Sequence, residues 1–167
     1  MKKLLTAPVL LAASLALSGC GFHPLYGDGG AAGSVEAALI DIDVAPQTTR
    51  TGQLVRNEIL SGVAPASAGG GARVLDLTIG EKETPAVVSF NSGDAQNRYI
   101  LNVSYVLKAR GSGRVLTRGK TFSEVSYTVT RQPAADMQAR IRAVETAARV
   151  AAGDIRTRLA AWLAAHR

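Results

Sequence analysis

One stretch constrains the fold more than any other. From Arg98 to Arg110 the odd positions are Tyr99, Leu101, Val103, Tyr105 and Leu107, while the even positions are mostly polar or charged. Successive side chains of a strand point to opposite faces, so this period of two predicts a half-buried strand. Its odd row needs an apolar cover. Pro133 opens the complementary pattern, and a fixed φ is tolerated in a helix's first turn. Met137, Ile141, Val144, Ala148, Ala151, Ile155, Leu159 and Trp162 then recur at steps of three and four. That spacing places one apolar stripe along a long helix. Asp136–Arg140, Glu145–Arg149 and Asp154–Arg158 sit at i,i+4, each pair worth about 0.2–0.5 kcal/mol. Gly153 costs the helix up to about 1 kcal/mol and is a place for a bend.

The rest of the chain supplies partners for these two elements. Val35 to Val44 alternates and reads as a strand ending at Pro46. Thr48, Thr49 and Thr51 offer N-caps for a helix carrying Leu54, Val55, Ile59, Leu60 and Val63, which ends before Pro65. Residues 64–72 are a loop of Pro, Ser, Ala and three consecutive glycines. Arg73 to Glu83 is a second strand with Leu75, Leu77 and Ile79 on one face, prolonged past a bend at Pro85 by Val87, Val88 and Phe90. Asn91 to Asp94 is turn chemistry. Gly111 to Gly113 sends the strong strand back into a last one, Arg114 to Val129, with Val115, Val125, Tyr127 and Val129 facing inward. The order is β-α-β-β-β-α. It predicts an α+β two-layer sandwich, two helices on one face of a four-stranded, mostly antiparallel sheet.

The N-terminus sets the domain organisation. Lys2 and Lys3 precede 14 uncharged residues, Leu4 to Leu17. A spanning helix needs about 20 apolar residues, so this is a signal-peptide core. Leu17-Ser18-Gly19-Cys20 is a lipobox. It predicts cleavage of residues 1–19, acylation of Cys20, a lipidated tether over 20–34 and a single domain over 35–167. Two or more acyl chains on Cys20 hold a protein stably on a membrane. Losing Lys2 and Lys3 lowers the net charge from +6 to +4. Cys20 is the sole cysteine, so the domain has neither a disulfide nor thiol chemistry and relies on its apolar core. His23 and His166 lie at opposite ends without neighbours at ligand spacing, so no metal and no cofactor is expected.

The run Cys20-Gly21-Phe22-His23-Pro24-Leu25-Tyr26-Gly27 resembles the opening of the LPS-assembly lipoprotein family LptE, in its alpha-proteobacterial form. Ser92-Gly93-Asp94-Ala95 and Asn102-Val103-Ser104-Tyr105-Val106-Leu107 resemble that family's central strand. Ser123 to Tyr127 and the Ala- and Arg-rich helix after it resemble its ending. The resemblance covers most of residues 17–165. It implies a two-helix, four-strand sandwich anchored to the periplasmic face of the outer membrane, a location that Gly21 after the cysteine also suits. It further implies a plug that assists assembly of the LptD β-barrel and binds lipopolysaccharide in transit to the cell surface. An auxiliary lipoprotein of an envelope ABC lipid-transport system, or a structural envelope lipoprotein, is the alternative.

The hairpin 98–120 carries the candidate ligand residues. Arg98, Lys108, Arg110, Arg114, Arg118 and Lys120 all fall at even positions, with no acid between them. A three-residue loop sets Arg110 opposite Arg114 and Val106 opposite Arg118, which gathers six cations on one face. Like charges so placed repel unless they are solvated or meet an anion. One reading is a solvated face that guards against aggregation. The other is an anion site, and the resemblance implies lipopolysaccharide as its ligand. Nucleic acid is not an expected partner for a lipoprotein outside the cytoplasm. The chain has no Gly-x-Ser-x-Gly, His-Glu-x-x-His or phosphate loop, and no enzymatic activity is expected.

Overall fold

The computed structural model describes residue 39 and residues 41–61, 70–88, 95–130 and 132–166. The predicted signal peptide, Cys20 and the tether lie outside the described residues. Within them the element order is β1 (Ile42–Val44), α1 (Arg50–Ser61), β2 (Arg73–Val88), β3 (Ala95–Ala109), β4 (Val115–Val129) and α2 (Pro133–Ala165). The strands form one sheet in the order β1-β2-β3-β4. β1 runs parallel to β2, and the other neighbours are antiparallel. This is the α+β arrangement that the two periodicities demand.

The odd row of β3, Tyr99 to Leu107, is buried in one core with Leu75, with Val55 and Ile59 of α1, and with the apolar side of α2. The dimensions match. The 33 residues of α2 rise about 50 Å at 1.5 Å each. The 15 residues of β3 extend about 50 Å at 3.4 Å each. The two elements are thus of similar length, and the helix is buried against the sheet from Ala143 onward. Six alanines of α2, at 143, 147, 148, 151, 152 and 160, are buried. Small side chains there allow close approach, while Ile155, Leu159 and Leu163 supply bulk. The predicted stripe starts late, because Met137 is 64% exposed in the first turns.

Local chemistry fixes the boundaries. Thr49 caps α1, accepting from the Gly52 backbone N–H at 3.0 Å. β1 is shorter than the predicted strand: Leu39 is helical and buried, and only Ile42 to Val44 pair with Arg73 to Leu75. Gly71 sits where these strands converge, and a Cβ there would collide with the Asp41 carbonyl oxygen. β2 bends as expected, with a register shift between Pro85 and Val87. Of the predicted helix pairs, Asp154–Arg158 forms at 2.9 Å. Asp136 instead accepts from the Thr130 N–H at 2.7 Å, and Arg140 reaches Glu83 at 2.9 Å. Glu145 and Arg149 form no ion pair among the described residues.

Candidate functional site

Both helices cover the odd face of β3, which leaves the even face of the sheet as the surface where the predicted cations lie. Val106 pairs with Arg118 and Ser104 with Lys120, as a tight hairpin requires. The pairing then slips. Leu107 is opposite Thr117, but Lys108 is opposite Val115, so β4 carries one extra residue. The Ala109 N–H donates to the Arg114 carbonyl at 2.9 Å, which closes a four-residue loop with Gly113 at a φ of +67°. Arg114 is therefore not opposite Arg110. It lines a cleft with Trp162 of α2 and His166, the residue that follows the helix. The expectation of six cations on one face is corrected to five, because a bulge shifts the parity of everything on its far side.

Three of those five are neutralised by neighbouring strands. Arg98 meets Glu124 at 2.8 Å, Lys108 meets Asp76 at 2.7 Å, and Arg110 meets Asp43 at 2.6 Å. Arg110 also donates through Nε to the Gly71 carbonyl at 2.7 Å, so it ties the hairpin loop to the β1–β2 junction. The Arg98 Nε–H is shielded from water and makes no aligned hydrogen bond, so its contact with Glu124 is purely ionic. Partially exposed pairs of this kind are worth about 0–1 kcal/mol each.

Arg118 and Lys120 remain. Both are exposed, and neither has an acidic group within 4.0 Å among the described residues. Between them and Glu124 stands Phe122, 68% exposed on the same face of β4, with Ile100 and Val106 on the adjacent strand. A large apolar ring held in water beside two unpaired cations is the feature that charge counting missed. Its even position already gave it the same parity as Arg118 and Lys120. This patch can meet a ligand that is both anionic and apolar.

The covered face has its own polar seam, at the end away from the hairpin loop. The Tyr99 hydroxyl donates to Glu81 at 2.7 Å, and the Tyr127 hydroxyl donates to Glu83, which also holds Arg140. Burial, then the Glu81 bond, pushes the Tyr99 phenol well above the usual tyrosine range. Burial raises Tyr105 in the same sense. The bond to Glu83 raises Arg140. Asp154 is pushed up by burial, but hydrogen bonds from Thr121 and Arg158 outweigh that and hold it below the usual range. Each of these groups is hydrogen-bonded or charge-paired to a neighbour on an adjacent element or one turn away. Tyr105 also explains Gly119: a Cβ at that position would strike its ring.

No family model and no curated protein matches the chain. Solved structures do. A provisionally assigned lipoprotein from Caulobacter crescentus CB15 is 27% identical, with a TM-score of 0.68 over 81% of this chain and 98% of that one. A minor lipoprotein from Acinetobacter baumannii is 12% identical, with a TM-score of 0.53 over 72% of this chain and 90% of that one. Rare lipoprotein B from Shewanella oneidensis is 17% identical, with a TM-score of 0.50 over 72% and 92%. The last two are likenesses of fold alone, whereas the first extends to sequence. The chain has the fold of this group of Gram-negative bacterial lipoproteins.

Proposed function

We propose that the chain is an outer-membrane lipoprotein, anchored through Cys20, that plugs and helps assemble an LptD-type β-barrel and binds lipopolysaccharide on its way to the cell surface. The observation that carries this reading is a coincidence within one chain. A lipobox and an LptE-like run at residues 17–27 precede a domain whose fold is that of bacterial lipoproteins. The outer sheet face supplies the ligand chemistry. Arg118 and Lys120 make charge-assisted hydrogen bonds to lipid A phosphates, which are the strong kind. In doing so they compete with the divalent cations that bridge neighbouring molecules. Phe122 meets the acyl region. Arg98, Lys108 and Arg110 serve the ligand only by leaving their acids, so they contribute less. No step of this activity makes or breaks a covalent bond.

The test is purification of the tagged chain from solubilised outer membranes, with bound proteins identified by mass spectrometry. A stoichiometric β-barrel of the LptD type is the expected result. Recovery of inner-membrane transporter subunits without a barrel would replace this reading with that of an auxiliary lipoprotein of an ABC system.

A further inference from the structure

The extra residue in β4 has a second consequence. It takes Arg114 away from the outer face and into an open cleft of about 520 Å³ between the β3–β4 loop and the last turns of α2. That volume lies within the range of about 300–1,000 Å³ typical of small-molecule sites. Arg73, Arg114 and His166 converge there, and the apolar lining includes Val115, Leu116 and Trp162. No acidic side chain lines the cleft among the described residues. Arg73 engages Asp41 through one terminal nitrogen, at 3.1 Å, and Arg114 has no acidic partner among the described residues. The His166 ring stacks on Trp162 with centroids 4.5 Å apart and planes 17° from parallel. Its Nδ1 lies 2.9 Å from the Trp162 carbonyl, which accepts a hydrogen bond from the ring N–H and leaves Nε2 as the ring's free polar atom. The lining thus combines two guanidinium groups with a stacked pair of rings and aliphatic side chains.

We propose that this cleft binds an organic phosphate, with the phosphoryl group on Arg114 and Arg73 and the ring or chain that bears it against the His166–Trp162 stack and Leu116. Planar guanidinium forks match phosphate oxygens two at a time, which ammonium groups do not. The site is separate from Arg118 and Lys120, so it stands whether or not the outer face binds lipopolysaccharide. A sugar phosphate and a lipid headgroup share the required chemistry.

The experiment is titration calorimetry on the mature chain in detergent, with inorganic phosphate, glucosamine 1-phosphate and water-soluble dibutanoyl phosphatidic acid as probes. One of the two organic phosphates is expected to saturate at least about tenfold more tightly than inorganic phosphate, and the tighter one identifies the source. Arg114→Ala is expected to weaken that binding about tenfold or more, in line with the loss of a charged hydrogen bond. His166→Ala weakens it less, and Arg149→Ala, an exposed helix cation that does not line the cleft, leaves it unchanged. Both Arg114 and His166 are exposed, so the variants fold, as circular dichroism will verify. No saturable binding of either organic probe overturns the proposal. So does binding indifferent to Arg114→Ala, or organic probes that bind no tighter than inorganic phosphate.

Discussion

Tyr99 and Glu81 are joined across the β2–β3 pair by a 2.7 Å hydrogen bond whose donor is buried and whose acceptor reaches the surface. The phenol is held above its ordinary value of 10.0 by burial first and by this bond second. A group whose folded value is raised contributes stability that is fully present below its unfolded value and lost as pH rises through the folded one. Unfolding by urea is therefore expected to become easier from about pH 10 upward. Tyr99→Phe costs about 1 kcal/mol at pH 7, the worth of an average hydrogen bond. It also makes the alkaline decline shallower, though not flat, because Tyr105 titrates in the same direction. An undiminished alkaline slope in the variant would show that Tyr99 is not the group responsible.

The acid limb has the opposite sign. Asp154 is lowered despite its burial, by Thr121 and Arg158. Its contribution is present above the unfolded carboxylate value and is lost as pH falls through the lower folded one. Asp154→Asn is expected to flatten the stability profile below about pH 4, where the unfolded carboxylate begins to titrate. Urea midpoints collected from pH 5 down to 2.5 measure this. The effect is small, since the ion pair with Arg158 is largely solvated.

Gly71 and Gly111 form a matched pair for testing backbone approach. A methyl at Gly71 meets the Asp41 carbonyl, while one at Gly111 meets nothing within 4 Å. Gly71→Ala is expected to destabilise the fold by about 1–3 kcal/mol, as overpacking against fixed atoms does. Gly111→Ala stays within about 0.5 kcal/mol of wild type. Equal urea midpoints for the two variants would mean that the β1–β2 junction yields freely.

On the outer face, charge and stability separate. The double variant Arg118→Glu, Lys120→Glu is expected to keep its urea midpoint, because neither side chain is paired or buried. Under the proposed function, its binding of lipopolysaccharide is expected to fall at least about tenfold, the loss of one charged hydrogen bond. Lys108→Ala weakens binding less, its ammonium being already engaged by Asp76. Fluorescent lipopolysaccharide titrated against the three proteins makes the comparison.

Alternation and helical spacing carried most of the architecture. The odd row of β3 is buried from Tyr99 to Leu107, and the element order follows the reading of the residues. What the sequence hid depends on residues far apart. The acids that neutralise Arg98, Lys108 and Arg110 come from β4, β2 and β1, so a hairpin read by itself looks uniformly cationic. The bulge that redirects Arg114 has no local signature beyond a loop one residue longer than expected. Arg140 sits four residues from Asp136, yet Glu83 is its partner, because a sheet carboxylate approaches it from across the layer. Met137 keeps the stripe's spacing and still faces water, since the helix begins before the sheet lies beneath it.

The helix that covers the odd row of β3 is the last element of the chain. All four strands precede α2 in the chain, and β2, β3 and β4, within residues 73–129, can zip locally as successive hairpins. Throughout that interval the row from Tyr99 to Leu107 has only the short α1 nearby and is otherwise open to water. Exposed apolar strands in an incomplete domain are prone to association. Until α2 packs on it, the odd row of β3 lacks its main cover, and association is expected at that stage. A chain interrupted within α2 would not yield a smaller stable domain; it would lengthen that stage indefinitely.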